Sequence, residues 1–117
     1  MARILAVGFG GMIGTLLRAG IYSWVPVGMG LWIVNLAGSF VLGFVVSRMA
    51  NKSAELRLFV STGLIGSFTT FSTFSGDWFH RLDQSLWLGM AFGIGMTACS
   101  VAFAASGIWL GRRRRLR

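Results

Sequence analysis

STGLIGSFTTFSTFS, running from Ser61 to Ser75, decides how this chain is read. It sits in a stretch with no charged residue between Arg57 and Asp77, and hydroxyl side chains occupy Thr69, Thr70, Ser72, Thr73 and Ser75. Hydroxyls are poor choices for lipid contact, and their interleaving with the rings of Phe71 and Phe74 suggests a path for something polar. Weak helix formers gather just before, at Ser61, Thr62, Gly63, Gly66 and Ser67, so a helix break is plausible there. A broken helix at membrane depth is tolerated only where its freed amides and carbonyls face protein, water or an ion, and freed carbonyls suit a small hard cation. The other reading is an unbroken helix that uses small residues for packing. Periodicity does not separate the two.

Composition sets the solvent. The 117 residues are 55% hydrophobic and 12% charged, with a mean hydropathy of +0.72, outside the range of an ordinary soluble domain. Charge is missing from Ile4–Leu17, Ala19–Ser47, Leu58–Gly76 and Gln84–Gly111. A bilayer crossing takes about 20 mostly apolar residues, so the chain reads as an all-α integral membrane protein. Four transmembrane helices are expected, roughly at 3–22, 30–48, 57–79 and 85–110, in a single domain over 1–117. The connections Ser23–Gly30, with the only proline, Pro26, and Ala50–Ala54 and His80–Ser85 are short. Met1-Ala2-Arg3 before an apolar run looks like a signal peptide, but no convincing small-residue cleavage site follows, and an uncleaved first helix is expected. The single cysteine, Cys99, reads as a small packing residue.

A formal charge of +8 would suit nucleic acid in a soluble protein; at helix ends it marks the cytoplasmic side and attracts anionic headgroups. With four helices, Arg3, Arg48, Lys52, Arg57 and the arginines at 112–115 and 117 share one face, against Arg81 on the other. Both termini are therefore expected in the cytoplasm, in a multi-pass protein of the cell (inner) membrane with no nucleic-acid partner. Glycine and serine pairs at Gly10/Gly14, Ser39/Gly43 and Gly89/Gly93 have the spacing that lets helix backbones approach.

Several side chains have two readings each. Asn35 is the only amide deep in a span; it is either a clamp between helices or a donor to an anion that must shed water. Phe71 and Phe74, three apart, share a helical face. They either fill a core or turn their positive edges to an anion, without the full charge that would hold an ion too long for conduction. Thr97 and Ser100 are either interhelical glue or pore hydroxyls. Arg18 either snorkels to an interface or makes a vestibule electropositive. No acid occurs before Glu55, and none of the three acids lies deep in a span, which leaves a small multidrug-type proton-coupled antiporter without its proton carrier. His80 is the lone histidine, and no nucleophile has an evident base, so no enzyme is expected. A non-transporting membrane scaffold subunit is the other alternative.

Taken together, GGMIGTLLR (Gly10–Arg18), WIVNLAGSFVLGF (Trp32–Phe44) and TGLIGSFTTFSTFSGD (Thr62–Asp77) resemble the Fluc/CrcB family of fluoride channels. The resemblance covers nearly the whole chain, the third motif being the most specific. It implies passive, selective export of cytoplasmic fluoride that reduces fluoride toxicity, through an antiparallel, dual-topology dimer with two fluoride pathways and a structural sodium ion, and no organic cofactor. By resemblance the fluoride pathway takes Asn35, Phe71, Phe74, Ser72, Thr73 and Thr97, with the phenylalanines reaching across the subunit interface. The carbonyls of Gly66 and Thr69 would bind sodium, and Arg18 matches the family's first-helix arginine. Ser67 stands where many relatives have a second glycine, and the fourth helix matches less well. The strong charge bias adds an oppositely oriented homologous subunit as an alternative to the homodimer.

Overall fold

The computed structural model describes residues 1–26 and 28–115; Val27, within the expected connection at 23–30, and Arg117, among the expected cytoplasmic arginines, lie outside the described residues. All regular structure in it is helical. Three helices are long and apolar enough to cross a membrane: α1 (Ala2–Trp24), α2 (Met29–Arg48) and α6 (Leu86–Arg115). Gly28, at φ +95°, turns the chain into α2 in the left-handed region that glycine enters without penalty. The last helix runs past the expected 110 into its arginines, which are good helix formers.

Between α2 and α6 the expected helix over 57–79 takes a more divided form. Ser53 caps α3 (Ala54–Arg57) by accepting the Leu56 amide at 3.2 Å. The backbone then widens into a π-helical stretch, Leu58–Ile65, through the weak formers Ser61–Gly63, and tightens again in α4 (Gly66–Phe68). Thr69 (ψ 160°) and Thr70 (φ −142°, ψ 118°) are extended. Thr70 then caps α5 (Phe71–Gln84), its hydroxyl accepting the Thr73 amide at 3.2 Å. The helix thus stops at the C-terminal edge of the glycine-rich stretch, where a capping threonine offers the next helix a start.

Two parallel pairs make the body. α1 runs along the 54–68 arm, with Gly10 facing the carbonyl of Phe59, Gly14 that of Leu64, and Gly63 that of Val7. Along the second seam, Gly43 faces the carbonyl of Ala104, Gly107 that of Phe40, and Gly111 the Ser47 side chain. Such contacts bring backbones close enough for Cα–H···O=C attraction. α5 lies antiparallel on α6, Gly89 seating Leu82 and Gly93 seating Trp78. Where α2, α5 and α6 meet, Leu31, Phe74, Phe92 and Met96 form the core, with Trp32 and Trp78 packed on it. Large apolar side chains elsewhere point outward, including Ile4, Phe9, Leu16, Ile94 and Val101.

A methyl at Gly14 would land on the Leu64 carbonyl, backbone that cannot step aside, whereas Gly20 has open space around it. Gly14→Ala is expected to destabilise the protein by about 1–3 kcal/mol, read as a lower thermal midpoint in detergent. Gly20→Ala should leave it unchanged; equal midpoints for both variants would refute the close seam.

Candidate functional site

The extended pair Thr69–Thr70 frees backbone groups that a continuous helix would have paired. Side chains from two other helices take them up. From α2, Asn35 accepts the Thr70 amide on Oδ1 at 2.9 Å and donates Nδ2 to the Thr70 carbonyl at 3.1 Å, gripping the residue from both sides as a neighbouring strand would. From α1, Arg18 donates to the Thr69 carbonyl at 3.4 Å. Thr69 itself closes back on Ile65, its amide donating at 3.0 Å and its hydroxyl at 3.1 Å to the same carbonyl. Gly38 of α2 leaves room for the Thr69 methyl, which a side chain there would strike.

Thr70 is the hub. It is buried, and its hydroxyl meets the Thr73 amide, the Thr73 hydroxyl and the Ser72 hydroxyl, each at 3.2 Å. One proton given to Thr73 and two lone pairs filled by the Thr73 amide and Ser72 satisfy it completely.

Beside this clamp lies a cleft of about 330 Å³ between α2, the break, α5 and α6, lined by Asn35, Ser39, Thr69, Thr70, Phe71, Phe74, Thr97 and Ser100 among others. Ser39 donates to the Asn35 carbonyl at 2.7 Å. The two phenylalanines, whose centroids are 6.0 Å apart, are not equivalent. Phe71 is 78% exposed and Phe74 8%. Phe74 stacks on Phe92 at 5.7 Å and on Trp78 at 5.8 Å, so its faces are engaged and its edge remains to be offered. Trp32 meets Phe92 edge-on at 5.8 Å. Over Phe92 sits the Arg81 guanidinium, 4.4 Å from the centroid, a cation–π contact.

Of the side chains singled out from sequence, Asn35, Thr69, Phe71, Phe74, Thr97 and Ser100 share this cleft. Ser72 and Thr73 do not line it; they sit on the exposed first turn of α5, with their hydroxyls turned to Thr70. Gly66 lies one turn before the break and Arg18 behind it, against Thr69. Thr70 has no role of its own in the sequence reading beyond the hydroxyl run, although a threonine just before a helix start is an N-cap signal. Ser39, by spacing a packing partner of Gly43, also lines the cleft. Amide and hydroxyl donors, ring edges and a nearby guanidinium, with no carboxylate among the described lining residues, make the cleft hospitable to a small anion.

Residues 5–112 match the family described as CrcB-like protein, Camphor Resistance (CrcB). A relative from Methanococcus maripaludis named fluoride-specific ion channel FluC is 43% identical over 94 residues, covering 75% of this chain and 77% of its own. One of the same name from Campylobacter jejuni is 40% identical over 116 residues, 92% of this chain and 93% of that one. Fluoride-specific ion channel FluC 1 of Methanospirillum hungatei is 37% identical over 114 residues, 95% and 76% respectively.

Proposed function

The chain belongs to the CrcB family, and from that premise we propose that it is a fluoride-specific ion channel through which cytoplasmic fluoride leaves passively, and so a multi-pass membrane protein and not an enzyme. The observation that carries this reading is near end-to-end similarity to relatives that bear that name. Fluoride efflux from liposomes holding the purified, folded protein tests it; folded protein that carries no fluoride would end it. The antiporter reading is not favoured, because α1, α2 and the membrane-length part of α6 contain no acidic residue. The scaffold reading is not favoured either, since the relatives are named as channels.

We read α3 through α5 as one further membrane crossing, interrupted at Thr69–Thr70, giving four in all. Two observations support this: the arm runs parallel to α1, and α5 continues antiparallel to α6. Fluoride is strongly hydrated, and the proposed path replaces its water with weak, successive partners: the second N–H of Asn35, the Thr97 hydroxyl, and the edges of Phe71 and Phe74. Ser72 and Thr73 join it only where they turn from Thr70.

The 78% exposure of Phe71 supports a second, antiparallel copy of the chain, whose cleft this ring would enter. An oppositely oriented homologous subunit is the other partner consistent with the charge bias, which also argues for both termini in the cytoplasm at the inner membrane. Labelling of the termini from each face is expected to be strongly one-sided for a chain that prefers such a partner; equal labelling of both faces would establish the homodimer.

Sodium fits the donors in kind. The Thr69 carbonyl leaves the helical ladder at ψ 160°, and its one contact, to Arg18, is long at 3.4 Å, so a hard oxygen is available there, three residues after that of Gly66. Two oxygens are fewer than such an ion takes, so an opposed subunit would supply the rest. When bound, the ion would fix the two breaks against each other.

A further inference from the structure

Among the described residues, one buried side-chain polar atom has no hydrogen-bond partner: Nε1 of Trp78. A buried N–H without an acceptor is costly, and native structures leave few of them. Its surroundings are specific. Phe71, Phe74, Trp78 and Arg81 recur at three- and four-residue intervals, so they share one face of α5. The Trp78 ring is held by stacking on Phe74 at 5.8 Å and by α6, where the lack of a side chain at Gly93 lets the indole nitrogen sit close against the helix; any side chain at Gly93 would begin 2.7 Å from Nε1. Trp78 and Gly93 line a second cleft, of about 400 Å³, with Met90, Ile94, Thr97 and Ala98. Thr97 also lines the first cleft, beside Asn35 and Phe71, so the two adjoin at that residue. A positive charge stands on the same aromatic layer, since Arg81 lies over Phe92, which stacks on Phe74.

We propose that Trp78 Nε1–H donates a hydrogen bond to fluoride and, with the Thr97 hydroxyl, forms a further anion position that extends the pathway along α5 beyond Phe71 and Phe74 toward Arg81. The inference rests on the channel reading. Its chemistry is selective in sign: an indole N–H donates and never accepts, so it offers nothing to a cation. Being neutral, it holds the anion without trapping it. An apolar wall of Met90, Ile94 and Ala98 on the remaining side leaves the two donors as the only polar partners, which favours an ion small enough to meet both at hydrogen-bond distance.

The test follows the indole ¹⁵N–¹H signal of Trp78 in the intact wild-type protein, assigned as the signal that disappears in Trp78→Phe. Sodium fluoride is expected to move it in a saturable way, whereas sodium chloride at equal ionic strength should leave it in place. Trp78→Phe keeps a ring on Phe74 and is expected to lower fluoride efflux about tenfold in protein that still folds. A signal indifferent to fluoride, in protein with normal efflux, overturns the inference and leaves the channel reading standing; the donor would then be bonded within the assembled protein. Absence of efflux from the wild type removes the channel reading, and the inference with it.

Discussion

Phe71→Ile is expected to cut fluoride efflux from liposomes by about tenfold or more, equivalent to about 1.4 kcal/mol at the limiting step, while scarcely changing the thermal midpoint of the protomer. The ring is 78% exposed and makes a single tilted contact with Phe74 at 6.0 Å, so little folding energy depends on it. Isoleucine keeps an apolar side chain of similar reach but has no quadrupole, and hence no positive edge for an anion. Phe74→Ile should lose a comparable amount of flux and, in addition, stability. It is 8% exposed and stacks on both Phe92 and Trp78, so replacing it opens space in the core at a cost of about 1–3 kcal/mol. The two variants therefore separate conduction from folding. Unchanged efflux in both would remove the phenylalanines from the pathway.

The second large effect belongs to Asn35. Asn35→Ala leaves the amide and the carbonyl of Thr70 unpartnered on a residue that is 5% exposed. At about 1–3 kcal/mol for each orphaned group, the loss takes a sizeable share of the 5–15 kcal/mol that typically separates folded from unfolded protein. A markedly lower thermal midpoint and little recoverable efflux are expected. Asn35→Asp divides the two roles. When protonated, its carboxyl can accept from the Thr70 amide and donate to the Thr70 carbonyl as the amide does. When ionised, it has no proton to give and sets negative charge in the proposed anion path. Efflux through Asn35→Asp should therefore fall as pH rises, relative to wild type at each pH. A variant as stable as wild type after Asn35→Ala would show that the break does not depend on the clamp.

Much of the architecture was legible because lipid is an unforgiving solvent. Long apolar stretches such as those within α1, α2 and α6 have few alternatives, and the spacing of Gly10 and Gly14 already suggests a close helix contact. The break was harder to locate, because weak helix formers are spread along the whole of Ser61 to Thr70. What decides its position is tertiary: Asn35 reaches Thr70 from a helix 35 residues earlier in the chain. The same holds within the site. Three-residue spacing puts Phe71 and Phe74 on one face but cannot say that Phe92 waits for only one of them. Asn35 offered two readings, clamp and ligand; in the single chain its amide grips Thr70 and still has one donor left over. Ser72 and Thr73 look identical to pore hydroxyls in a sequence, and only the position of the Thr70 cap shows where their hydrogen bonds go.

The extended pair at Thr69–Thr70 is gripped by side chains of its own chain, Asn35 and Arg18. Biogenesis can therefore proceed in two stages. In the proposed dimer, a freshly inserted chain would hold this backbone before it pairs, with the exposed Phe71 ring left for its partner. If the proposed pairing leaves that interior as it is, a duplicated gene could diverge in its orientation signals and keep the same interior.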